Sequence, residues 1–242
     1  MKQFLVLSAL GLTLAGCGGA PREPDTHLLR NRQGHTEAFA AATLIRAQPT
    51  GGEPVQMSLH LWRSAQGTVK AVATKAEVDV LIARLEPSGR LRVWSPRQNE
   101  VSDTTLTATD VPDLLRHLPV LMEELTHGPL PAEAAADDAG LLTARRADLT
   151  IRLALNGDQP TTKTVSTADG RELLTIAYGD LKPFDTLLRP ARLTLTTPDG
   201  EALVLLRRLE VLGEVSPERL RWDAPADAVA VPLPTLLDHL NR

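Results

Sequence analysis

From Met57 onward, apolar and polar side chains alternate with a period of two over much of the chain. In Met57-Ser58-Leu59-His60-Leu61-Trp62 the odd positions are apolar, while Ser58 and His60 are polar. Leu149, Ile151, Leu153 and Leu155 face one way and Thr150 and Arg152 the other; Leu193 and Leu195 repeat this against Arg192, Thr194 and Thr196. Successive strand side chains point to opposite faces, so these runs predict a sheet with one covered and one wet face. The pattern places strands at residues 55–62, 69–74, 77–85, 90–95 and 100–106, then at 149–155, 161–167, 172–178, 189–197 and 201–211. The alanine-rich stretch 36–48 could favour a helix, but it runs through the turn Pro49-Thr50-Gly51-Gly52 into the strand at 55. Turn and following strand together favour a hairpin.

The breaks between runs are chemically apt. Pro87-Ser88-Gly89 supplies a glycine for a tight turn, Pro96-Arg97-Gln98-Asn99 closes the next, and Asn156-Gly157, Asp169-Gly170 and Asp199-Gly200 are strong hairpin signals. Parallel pairing needs crossovers of about a dozen residues or more, so short connections predict an antiparallel meander. Between the two sets of strands, Asp110-Val111-Pro112-Asp113 reads as a helix start, with an Asx cap and an early proline. Leu114, Leu118, Leu121 and Leu125 then form an apolar stripe that Pro119 interrupts, giving a kinked helix ending near His127-Gly128-Pro129. Residues 131–140 read as an acidic, alanine-rich surface loop. Further on, residues 182–185 read as a longer connection with room for a short helix, 219–223 as a last edge strand, and 236–240 as a short helix capped by Thr235.

The start of the chain has different chemistry. Lys2 precedes an apolar run from Phe4 to Leu14, too short to span a bilayer and typical of a secretory signal. It ends in Leu14-Ala15-Gly16-Cys17, which resembles the lipobox of bacterial lipoproteins. That resemblance implies a diacylglycerol on the Cys17 thiol, cleavage before Cys17 and acylation of the new amine. Several acyl chains hold a protein on a membrane stably where one does not. Cys17 is the chain's single cysteine, so no disulfide forms within one copy. Gly18, where aspartate would retain an enterobacterial lipoprotein at the inner membrane, points to the outer membrane. The expected organisation is a signal at 1–16, a flexible tether at 17–35, and one domain at 36–242.

Composition narrows the function. Loss of residues 1–16 removes only Lys2, taking the net charge from −4 to −5. That balance argues against nucleic acid and against a polybasic membrane patch. With three Trp, one Tyr and three Phe, the core must be mostly Leu, Val, Ile and Ala. His27, His35, His60, His117, His127 and His239 show no metal-ligand spacing, and no nucleophile, Walker or dinucleotide motif occurs. Asp137-Asp138 are adjacent and do not converge on one point. The expectation is therefore a protein without catalysis, metal or cofactor. No feature sets an oligomeric state.

The order of parts resembles the LolA/LolB-like superfamily of envelope lipoproteins and lipoprotein carriers: a lipobox, a long meander, a mid-chain helix, late Asp-Gly hairpins and a closing segment Leu220-Arg221-Trp222-Asp223-Ala224-Pro225, similar to the family's aromatic-x-x-Pro ending. The resemblance implies a mainly β (α+β) domain, an incomplete antiparallel barrel of about ten or eleven strands. The mid-chain helix would cover its open side and enclose an apolar cavity for acyl chains. The residues to line it are Leu59, Leu61, Val93, Leu114, Leu118, Leu121, Leu149, Ile151, Leu153, Leu193 and Leu195, with Cys17 as lipidation site. Two functions stay open: binding acyl chains or receiving lipoproteins, and a structural envelope lipoprotein that docks a protein partner through its sheet or edges.

Overall fold

A computed structural model describes residues 38–108, 111, 135–136, 141–146, 148–156, 159–184, 187–198 and 200–240. The expected signal, the tether and nearly all of the mid-chain helix lie outside the described residues. Among the described residues fourteen strands form one sheet: β1 (Ala38–Pro49), β2 (Val55–Arg63), β3 (Val69–Lys75), β4 (Val78–Leu85), β5 (Arg90–Ser95), β6 (Glu100–Thr105), β7 (Ala135–Ala136), β8 (Leu142–Arg146), β9 (Leu149–Asn156), β10 (Gln159–Thr167), β11 (Glu172–Phe184), β12 (Leu187–Thr197), β13 (Gly200–Leu212) and β14 (Val229–Ala230). Two short helices complete the described residues, α1 (Pro217–Leu220) and α2 (Leu233–Leu240).

The strand order is β14-β6-β5-β4-β3-β2-β1-β13-β12-β11-β10-β9-β8-β7, and the sheet does not close. Pairing is antiparallel except for the two-residue bridge of β14 to β6. Two meanders, β1 to β6 and β8 to β13, are thus joined where β1 lies against β13, from Ala38 opposite Leu212 to Pro49 opposite Gly200. The fold is the expected open antiparallel barrel, with three more strands than the upper expectation; two of the fourteen are only two residues long.

Local chemistry explains most turns. At Asp169-Gly170 the glycine sits at φ +87 and its N–H donates to the Thr167 carbonyl at 2.9 Å. The β3–β4 turn is less orthodox. Lys75 pairs with Val78 across Ala76 and Glu77, both at positive φ, 51 and 65. Such a turn suits Asn-Gly, and neither Ala nor Glu adopts φ > 0 easily.

Three expectations change. The stretch 182–184 is strand, because β11 and β12 stay paired out to Phe184 opposite Leu187, forming a ribbon that outruns its neighbours. Residues 219–223 are not an edge strand: Ser216-Pro217 starts α1, and an extended strap follows it. Helix α2 begins earlier than Thr235, with Pro234 in its first turn and the Leu236 N–H donating to the Pro232 carbonyl at 3.1 Å. Strand β8 was not anticipated, and β7 falls in the expected loop.

Candidate ligand-binding face

Antiparallel partners carry their side chains on the same side, so the register traces one face across the sheet. Leu61 stands opposite Ala71, Ala71 opposite Ala83, and Ala83 opposite Val93. Alongside, Leu206 faces Thr43, Thr43 faces Leu59 and Leu59 faces Ala73. In the other half, Leu153 pairs with Lys163, Lys163 with Ile176 and Ile176 with Leu195. The row Tyr178, Leu193, Val204, Ile45, Met57 joins the halves. Leu59, Leu61, Val93, Leu149, Ile151, Leu153, Leu193 and Leu195 therefore all lie on one face. Leu114, Leu118, Leu121 and Cys17 lie outside the described residues.

Two apolar clusters occupy this face. The first gathers Phe39, Leu61, Leu91, Val93, Val111, Leu206 and Leu209 with Leu233 and Leu236 of α2, and Leu59 packs on its border. The second gathers Ala144, Leu149, Ile151, Val165, Leu174, Ile176 and Leu193, with Tyr178, Leu195 and Val204 beside it. The small side chains of Ala71 and Ala83 pack against this first cluster, to which α2 contributes. His239 Nδ1 of α2 sits 2.8 Å from the Glu100 carboxylate and pins the helix to β6.

Sequence reasoning missed two cations on this face. Lys163 and Arg189 are both buried, 5% and 3% exposed, and both have polar partners. The signal was present: Lys163 shares parity with Val165, and Arg189 with Ala191, Leu193 and Leu195. The opposite face carries a different chemistry. Trp62 stands beside Lys70, and Trp94 beside Ile82, so neither tryptophan borders the apolar face. There the strap 221–223 crosses the strands: Lys70 Nζ donates to the Arg221 carbonyl at 2.8 Å and lies 3.4 Å from an Asp223 oxygen. The Arg92 guanidinium lies 5.2 Å from the centre of the Trp222 ring. The hydrogen bond from Arg221, reinforced by the Lys70 charge, holds the Asp223 carboxyl below the usual carboxylate range.

A further opening lies where the sheet splits. The β12–β13 ladder ends at Arg192 opposite Leu205, although β13 runs on to Leu212 against β1. Pro190 has no N–H to continue that ladder, and at Asp180, at φ 56, the β11–β12 pairing skips one position before resuming in the same register at Leu181 opposite Pro190. The ribbon of 181–184 and 187–190 thus leaves β13, and an open cleft of about 550 Å³ separates them, lined by Pro183, Phe184 and residues 207–212.

No family model matches the chain, and no curated protein matches it by sequence. Solved structures do match. A LolA superfamily protein from Nitrosomonas europaea superposes with TM-score 0.54 at 10% identity, over 81% of this chain and 94% of its own. The fold is that of the LolA superfamily. An outer-membrane lipoprotein-sorting protein domain from Vibrio parahaemolyticus gives TM-score 0.49 at 9% identity, over 86% of this chain and 93% of its own. Among the described residues, a LolA-like open sheet therefore carries an apolar face, with no group of three or more His, Cys, Asp or Glu placed to hold a metal ion. No described helix is long and apolar enough to cross a membrane.

Proposed function

We propose that this chain is a lipid-anchored lipoprotein of the bacterial cell envelope whose LolA-like half-barrel takes acyl chains on its apolar face, from lipid or from a lipoprotein, without catalysis. The observation that carries this reading is the register: eight apolar residues from four strands fall on one continuous face of an open sheet. Burying hydrocarbon there is favourable by about 0.8 kcal/mol per CH₂. The lipobox-like Leu14-Ala15-Gly16-Cys17 supports the anchor, and Gly18 supports the outer membrane. A second reading, a structural lipoprotein that docks a partner, draws on the burial of Leu61, Val93, Ile151 and Leu153 at 4% exposure or less, a degree also expected of a filled core.

Acyl chains co-purifying with the native protein, seen by mass spectrometry after mild extraction, separate the two. Leu59 borders the first cluster rather than sitting inside it. A Leu59→Asp protein is expected to melt cooperatively yet bind a fluorescent fatty acid at least tenfold more weakly, since hydrocarbon would then meet a carboxylate. A wild-type protein with no co-purifying lipid and no probe binding gives the case to partner docking.

A further inference from the structure

The acyl-binding reading leaves one part of the molecule unused, the cleft between β13 and the β11–β12 ribbon. Residues 206–212 of β13 are paired to β1 on one side and, among the described residues, have no ladder on the other. A strand with an unpaired row of N–H and C=O groups is a template for another chain, and it is unusual to find one inside a sheet rather than at its rim. Two further observations say what would lie there. Leu209 lines the cleft and belongs to the first apolar cluster, and Phe184 lines the cleft and packs on that cluster, so the cleft opens onto the apolar face. Exposed Arg207 and Arg208 also line it. Arg208 is ion-paired with Glu210, whereas Arg207, which has no opposite residue in β1, makes no hydrogen bond or ion pair among the described residues.

We propose that residues 206–212 of β13 receive, as an added strand, an extended acidic stretch of polypeptide whose own acyl chains lie on the apolar face. Backbone pairing supplies the length of the contact, Arg207 selects a carboxylate, and the clusters hold the hydrocarbon. The ligand is then an acylated polypeptide rather than free lipid. This rests on the acyl-binding reading and sharpens it.

The test uses the full chain in mild detergent with four probes: palmitate, an aspartate-rich hexapeptide palmitoylated at its N terminus, the same peptide with lysines for aspartates, and the aspartate version with N-methylated backbone amides. The palmitoyl-aspartate peptide is expected to bind at least tenfold more tightly than palmitate and to slow hydrogen exchange at 206–212. N-methylation should remove both effects, and Arg207→Glu should shift the preference towards the lysine peptide. If the peptide binds no better than palmitate and exchange at 206–212 is unchanged, the inference fails while the acyl-binding reading stands. If neither palmitate nor peptide binds, both fail. Protection of 206–212 without peptide that rises with protein concentration would put a second copy on this edge and overturn the proposal.

Discussion

Trp222 and Asp223 act through the residues beneath them. Lys70 is a buried amine on the face opposite the apolar clusters, and its contacts are the Arg221 carbonyl and the Asp223 carboxylate that the strap brings over it. The Asp223 carboxyl is held low, first by its hydrogen bond from Arg221 and then by Lys70, so its contribution to stability is present above the ordinary carboxylate value. It is lost as pH falls through the lowered native value. The side chain is 40% exposed, so solvent limits this contribution to under about 1 kcal/mol. Asp223→Asn should accordingly lower Tm slightly near neutrality, and the gap from wild type should close as acid titrates the native carboxylate; a gap that widens in acid would contradict the assignment. Trp222 was legible as a motif, but its place over Arg92 was not, because that pairing depends on where an irregular segment falls across the sheet.

Strands with strict alternation were readable, because a half-buried sheet imposes period two and Asp-Gly turns punctuate it; β9, β10 and β13 lie within a residue or two of their expected limits. Strand β8 was not, since Leu142-Thr143-Ala144-Arg145-Arg146 has one bulky apolar residue and two arginines and so carries little pattern. The ribbon was misread for a different reason. Pro183 and Pro190 argue against strand wherever every backbone N–H must be paired, but past Ala177 on β11 and before Arg192 on β12 no neighbouring ladder continues, so the missing donors cost little. The β3–β4 hairpin was read without its turn, because Ala76-Glu77 carries no turn signal. Two non-glycine residues at positive φ store about 1 kcal/mol or more of strain. The double change Ala76→Asn with Glu77→Gly should therefore raise the urea midpoint, by about 1–2 kcal/mol of stability at unchanged m. A neutral or destabilising result would show that the turn is already relaxed.

At the scale of the whole molecule, the apolar face was legible and its filling was not. Parity along each strand assigned residues to a side, while the covering of that side by Leu233 and Leu236 depends on contacts between strands and a helix far apart in sequence. The anchor is tested at the same scale: Cys17→Ala should move the protein from the membrane to the soluble fraction or leave the signal uncut, read by fractionation and by the mass of the mature N terminus. An unchanged distribution and mass would remove the lipoprotein reading. One feature of the topology bears on how such a chain is made. Strand β1 lies between β2 and β13, so its second edge finds its partner only as residues 200–212 are synthesised. A ribosome delivers the amino end first, and contacts between distant segments form slowly. For most of its synthesis this chain can pair β1 on one side alone, which delays completion of the sheet.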